Sequence, residues 1–257
     1  MGKSLTSTAQ RFLQRRCKRR WAARARQAEA LDLETLKQWR SQGRGLKAEL
    51  DRFLRVADER LTLPYIGSNA FHKPLHCDWS WRPDFWRGAI EPPGMAGAPS
   101  QTKFGSGVTL FHDCRISEIT VRQIRNMREV DLAPFGLRMD VFRFDGSFLS
   151  LVLDLPEGAV SGLKRRHLIR MNTVVEMEKP LEIFARLNIR HGPNTEQIVR
   201  ELPLGQDDVM VEFDLAYTRM NERRVEAAWV DLIFEGPEMN QVILRDVNFS
   251  RRPRAEM

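Results

Sequence analysis

The chain has 257 residues, 42% hydrophobic and 29% charged, with a mean hydropathy of −0.43. That composition excludes a chain disordered throughout, and no run of eighteen apolar residues is present to form a membrane-spanning helix. Three widely spaced cysteines, Cys17, Cys77 and Cys114, make neither a disulfide framework nor a C-x-x-C site, and they point to a reducing, cytoplasmic compartment.

The net charge of +7 is local: residues 1–26 hold nine Lys/Arg and no Asp/Glu, residues 27–60 seven of each, and residues 61–257 hold 25 basic against 27 acidic. A body that tracked nucleic acid would itself carry the excess, so nucleic acid is the less favoured partner. In the arm, Phe12, Leu13, Cys17, Trp21, Ala25, Ala28 and Leu31 recur at helical spacing among Arg15, Arg16, Lys18, Arg19, Arg20, Arg24 and Arg26. This predicts a basic amphipathic helix, suited to an anionic membrane surface or an acidic partner, with a solvated tail and RNA binding as alternatives. The same stretch has the Arg-rich, acid-poor character of a mitochondrial presequence, and Met1-Gly2-Lys3-Ser4-Leu5-Thr6 fits the loose N-myristoylation pattern. The helical period continues through Leu31, Leu33, Leu36, Trp39, Leu46, Leu50, Phe53, Leu54 and Ala57, with a break predicted at Gly43 and Gly45. Residues 1–60 are therefore read as a helical arm and hairpin that buries its stripe on the body or in a homo-oligomer.

Residues 61–106 lose all periodicity and are rich in Pro and Gly, yet hold Trp79, Trp81, Phe85 and Trp86. They are read as an irregular cover whose tryptophans either pack over a sheet edge or stack on sugar rings or bases.

From Gly107 the period becomes two. Leu181, Ile183, Ala185, Leu187 and Ile189 alternate with Glu182, Phe184, Arg186, Asn188 and Arg190, and 209–217 reads in the same way. With 116–124, 137–144, 147–155, 167–177, 195–202, 227–235 and 241–250, nine strands follow one another with no helix of convincing length between them. Strands so connected are antiparallel, which predicts a mainly β protein: a two-sheet β-sandwich of jelly-roll type over residues 107–250, ahead of a basic tail at 251–257.

Metal-ligand residue types cluster at His72, His76, Cys77, His112 and Cys114, but their spacings fit no zinc motif. No phosphate-binding loop, dinucleotide fingerprint or nucleophile elbow is present, so neither a cofactor nor a catalytic residue is assigned. A metal- or thiol-dependent enzyme using the His/Cys residues is the less favoured alternative. The strings Gly192-Pro193-Asn194-Thr195-Glu196-Gln197 and Gly236-Pro237-Glu238-Met239-Asn240-Gln241 echo one another. Either Gly-Pro opens the same turn twice, or Arg190, His191, Asn194, Glu196, Gln197, Asn240 and Gln241 form a polar rim for hydroxyl-rich ligands.

The stretches Leu181–Asn188, Ala228–Glu235 and Met239–Val242, with Asp78-Trp79-Ser80-Trp81-Arg82-Pro83-Asp84-Phe85-Trp86, resemble an uncharacterised bacterial family carried as a domain of unknown function. The closing strands are similar in architecture to jelly-roll carbohydrate-binding modules. The resemblance is one of architecture and supplies neither activity nor site. The strand pattern, the Trp-rich cover and the localised charge are read as a non-catalytic binding module with a glycan as the first ligand class. Trp79, Trp81, Trp86 and the polar rim are the expected contacts, and the basic helix the expected attachment to an anionic surface or partner. The alternative is a structural adaptor that self-associates through its N-terminal helices.

Overall fold

The computed structural model describes residues 3–66, 71, 73–205 and 208–254, with helix side chains described for residues 15–54, 56 and 57. His72 lies outside the described residues. The chain divides into two compact units, Met1–Phe53 and Leu54–Met257.

In the first unit, α1 (Lys3–Gln27) leads through a single 3-10 turn at Ala28–Ala30 into α2 (Leu33–Ile66). The break expected at Gly43 and Gly45 falls instead at residues 28–32. Asp32 Oδ1 accepts the Thr35 N–H at 2.9 Å and so caps the start of α2, whereas a glycine inside a long helix costs only about 1 kcal/mol. Gly43 also leaves room for a neighbour, since a Cβ there would stand 3.4 Å from the Trp21 ring. The Arg24 guanidinium lies over both the Trp21 and Trp39 rings, at 4.8 and 4.6 Å, and donates to Gln42 at 3.0 Å. No helix among the described residues is long and apolar enough to cross a membrane.

The second unit is the two-sheet antiparallel β-sandwich of jelly-roll type that the alternating pattern predicts. Its elements are β1 (Trp79–Trp81), α3 (Asp84–Arg87), β2 (Gly94–Met95), β3 (Thr102–Phe104), β4 (Val108–His112), β5 (Ile119–Arg125), β6 (Phe135–Val141), β7 (Leu149–Asp154), α4 (Glu157–Val160), β8 (His167–Met177), β9 (Glu182–His191), β10 (Asn194–Glu201), β11 (Asp208–Asp214), β12 (Val225–Glu235) and β13 (Asn240–Pro253). One sheet runs β11-β8-β13-β6-β5-β2, with β1 added on β13; the other runs β10-β9-β12-β7-β4-β3. Leu149, Leu151 and Leu153, Val230 and Leu232, and Ala185 and Leu187 meet Met139, Met171, Phe213 and Phe249 between the sheets, all of them fully buried. At about 25 cal/mol per Å² of apolar surface removed from water, these facing rows are the main stabilising term.

Three boundaries differ from the expectation. The segment read as an irregular cover supplies β1, β2 and β3 to the two sheets, so it belongs to the sandwich. The strand expected to reach Tyr217 ends at Asp214, whose Oδ1 accepts the Ala216 N–H at 3.0 Å and turns the chain into a 3-10 turn. The supposed basic tail continues β13 to Pro253: Arg251 is buried and donates to Asp78 at 3.0 Å and to the carbonyls of Ala159 and Ser161, each at 2.9 Å. β13 carries a bulge at Arg245, between the pairs Leu244↔Val175 and Asp246↔Val174. The extra residue changes which parity faces inward, from Val242 and Leu244 before it to Val247 and Phe249 after it.

Candidate functional site

Strand pairing settles where the expected site residues point. β1 pairs with β13 so that Trp79 lies opposite Arg251 and Trp81 opposite Phe249. Phe249 faces the core, and the three rings form a stacked series, Trp79–Trp81 at 6.5 Å and Trp81–Phe249 at 6.0 Å. Trp86 is wholly buried, and its Nε1 donates to the Leu244 carbonyl at 2.9 Å. Of the two readings of this segment the packing one fits and the stacking platform does not: Trp86 closes the core, and Trp79 and Trp81, half-buried, pack against it.

The polar rim is not assembled either. His191 pairs with Val225 while Glu235 pairs with Glu182, so Gly192-Pro193 and Gly236-Pro237 sit at opposite ends of the β9/β12 ladder, roughly 30 Å apart at about 3.4 Å per residue. Asn240 is buried and completes a turn, accepting from the Lys179 and Gln241 N–H groups at 2.9 Å each and donating to the Lys179 carbonyl at 2.8 Å. Gln241 donates to Asp140 at 3.0 Å. His191 is buried, with Nδ1 accepting from Asn221 at 3.4 Å and Nε2 standing 3.8 Å from Glu196. Asn194 is exposed beside the turn, and Arg190 is paired with Glu226 at 3.1 Å.

Among the described residues, the His and Cys candidates are spread over separate local contacts. His112 Nε2 donates to the Ala98 carbonyl at 2.9 Å, which leaves Nδ1 to accept the Cys114 N–H at 3.2 Å, so both ring nitrogens serve the backbone. Burial pushes the Cys114 thiol above its usual range, the reverse of an activated thiolate. Cys77 Sγ donates to the Trp79 carbonyl at 3.0 Å, and His76 is exposed on a turn. All three cysteines are free. Among the described residues no group of three or more His, Cys, Asp or Glu is placed to hold a metal ion.

Other polar and aromatic residues do converge, on the outer face of the six-stranded sheet. Across the strands one row reads Gln197, Asn188, Trp229, Asp154, and the next Val199, Arg186, Asp231, Val152, Thr109, Lys103. Asn188 and Asp231 form a buried floor: Asp231 Oδ2 accepts from Arg186 Nε at 2.8 Å and Asn188 Nδ2 at 3.0 Å, and Asn188 Oδ1 accepts from Gln197 Nε2 at 2.9 Å. Asp154 ends the first row, where desolvation is the largest cause that raises its carboxyl above the ordinary 3.8, the Lys103 charge opposes it, and the Asp231 charge adds a smaller push upward. A cleft of about 440 Å³ opens here, lined by Trp229, Asp231, Arg186, Phe111, Phe148 and neighbouring β-strand residues. Of the expected contacts only Gln197 belongs to this row, with Arg190 one place further along the same face. The signal for the rest stood in 227–235, where Trp229 takes a place on the non-core parity of an alternating strand, next to Asp231.

Fold and cleft together define a β-sandwich protein with a cleft of mixed aromatic and charged lining on one outer face, and an N-terminal pair of helices. The chain belongs to the family of unknown function DUF6478, whose family model matches residues 1–257. No curated protein matches it. Among solved structures it is similar to the enzymatically active domain of tailspike protein 4 of bacteriophage CBA120 (TM-score 0.40, 9% identity, 56% of this chain and 19% of that one). It is also similar to a family 11 carbohydrate-binding module from Clostridium thermocellum in complex with a β-1,3-1,4-mixed-linked tetrasaccharide (TM-score 0.38, 10% identity, 62% and 96%). A family 22 carbohydrate-binding module from Clostridium thermocellum gives a TM-score of 0.37 at 8% identity, covering 73% of this chain and 100% of that one. The chain thus spans about a fifth of the tailspike domain's length and nearly all of each module.

Proposed function

We propose that this protein is a non-catalytic binding module that takes a glycan on the outer face of its six-stranded sheet. The observation that carries the reading is Trp229, placed by the pairing of β7, β12 and β9 between Asp154 and Asn188, with Asp231 and Arg186 in the adjoining row. An indole face stacks on the C–H face of a pyranose, carboxylates accept from its hydroxyls, amides both donate and accept, and Arg186 donates. The hydrogen bonds within the Asn188–Asp231 floor hold these groups in place before a ligand arrives, which lowers the ordering cost of binding. Tryptophan fluorescence and affinity electrophoresis with a panel of soluble β-glucans and galactans test it. A saturable response is expected, weakened about tenfold or more by Trp229→Ala and by Asp154→Ala, consistent with the loss of one stacking contact or one charge-assisted hydrogen bond. A flat response across the panel, or binding unchanged in Trp229→Ala, refutes it.

The attachment role of the basic helix is part of the same proposal. Arg15, Arg16, Lys18, Arg19, Arg20 and Arg26 are exposed along α1, which suits them to anionic lipid or an acidic partner at about 1 kcal/mol each. Arg24 lies over both the Trp21 and Trp39 rings and Trp21 stands against Gly43, so these two face α2 rather than a ligand. Replacing Arg15, Arg16, Lys18, Arg19 and Arg20 by Glu is expected to abolish flotation with anionic vesicles; undiminished flotation overturns this role.

A further inference from the structure

The helical unit is incomplete by itself. No described side chain from Arg15 to Phe53 is buried, and helices gain most of their stability by burying an apolar stripe rather than from propensity. Such a stripe exists on α2: Leu36, Trp39, Gly43, Leu46, Leu50 and Phe53 alternate at three- and four-residue steps. Alternation of three- and four-residue steps, close to 3.5 on average, is the period of a seam between two supercoiled helices. The first half of this stripe is occupied by α1, through Trp21 against Gly43 and Arg24 over Trp39. Beyond that contact the exposure climbs along the helix, from 38% at Leu46 to 51% at Leu50 and 67% at Phe53.

We propose that the uncovered half of this seam, Leu46, Leu50 and Phe53, pairs with the same seam of a second copy of the chain. The charges beside it select that occupant. Residues 44–53 carry Arg44, Lys47 and Arg52 together with Glu49 and Asp51, in the pairs Lys47–Asp51 at 3.1 Å and Arg52–Glu49 at 3.0 Å. An anionic membrane favours an apolar stripe flanked by cations, and carboxylates beside the stripe oppose that contact. A flank carrying both signs is complementary to a copy of itself, and a two-fold arrangement of one patch on itself closes at two chains.

Sedimentation velocity on the full chain across a wide concentration series tests the proposal, which stands apart from the glycan reading and needs no ligand. The expected mass at high concentration is twice 29.9 kDa. Leu50→Asp and Phe53→Asp are each expected to weaken association by about tenfold or more. Ala48→Asp, which puts the same charge on the opposite face of the same helix, is expected to leave it unchanged. Leu50 and Phe53 are exposed, so these variants keep the monomer fold, and far-UV circular dichroism at a concentration where all variants are monomeric verifies that. A wild-type mass of 29.9 kDa throughout overturns the proposal. So does a Leu50→Asp variant that associates like the wild type, or a monomer whose flotation with phosphatidylserine vesicles is what Leu50→Asp removes.

Discussion

Replacing Trp86 separates a core role from a ligand role, because this residue looked from the sequence like part of a stacking platform. Its ring is wholly buried, lies 5.1 Å from Phe85, and its Nε1 donates to the Leu244 carbonyl at 2.9 Å. Trp86→Ala removes the ring and leaves a cavity that the two sheets close only in part, at a cost of about 3–5 kcal/mol. The Leu244 carbonyl also loses its indole donor, which adds about 1 kcal/mol. For a sandwich of this length each kcal/mol lowers Tm by about 2–4 °C, so the melting temperature is expected to fall by roughly 8–24 °C. Trp86→Phe keeps most of the ring and loses the donor, with an expected cost of about 1–3 kcal/mol. Urea titration at fixed temperature and differential scanning calorimetry read both values. Glycan affinity, measured where the variant is still folded, is expected to match the wild type. A Trp86→Ala variant that loses less than about 1 kcal/mol refutes the reasoning, as does one that keeps its stability while losing ligand.

Two further outcomes follow from the buried charges. Arg82 and Asp246 form a two-pronged pair, Nε to Oδ1 at 2.8 Å and Nη2 to Oδ2 at 2.7 Å, with both side chains buried. Arg82→Met strands the Asp246 carboxylate and is expected to cost about 3–5 kcal/mol, whereas Arg82→Met with Asp246→Leu is expected to recover most of it; a double variant no more stable than the single one, by urea titration, contradicts this. His167 is buried beside Arg251 and Asp78, and burial first, with the Arg251 charge second, holds its pKa below 6.5. The unfolded chain therefore binds the extra proton more readily, and stability falls as the pH drops below that range. His167→Gln is expected to flatten the decline in urea midpoint between neutral pH and about pH 5, and a variant with an undiminished slope assigns the decline elsewhere.

The alternation in β8, His167-Leu168-Ile169-Arg170-Met171-Asn172-Thr173-Val174-Val175, and in β9 predicted both strands and the faces they bury, because a half-buried antiparallel strand writes its environment into every second residue. The same logic located β12 and β13 and, with no helices between the strands, the class of fold. Short pieces such as Trp79–Trp81 and Gly94–Met95 left no such trace, since a period of two needs more residues than they contain. The two Gly-Pro turns look equivalent in the sequence and are separated by the antiparallel run of β9 against β12, which puts successive turns at opposite ends.

Charge localisation, the helical period of the arm and the alternation of the nine long strands are properties of residues and their neighbours along the chain, and the sequence by itself determined them. Which tryptophan lines the cleft was decided only by the tertiary structure. Trp79, Trp81 and Trp86 form the denser cluster, but pairing with β13 turns Trp79 and Trp81 towards Phe249, and the Leu244 carbonyl draws Trp86 into the core. The single Trp229 lines the cleft because its strand lies between β7 and β9 and its parity faces away from the core. Facing and strand neighbourhood are set by long-range pairing, and no spacing within one segment encodes them.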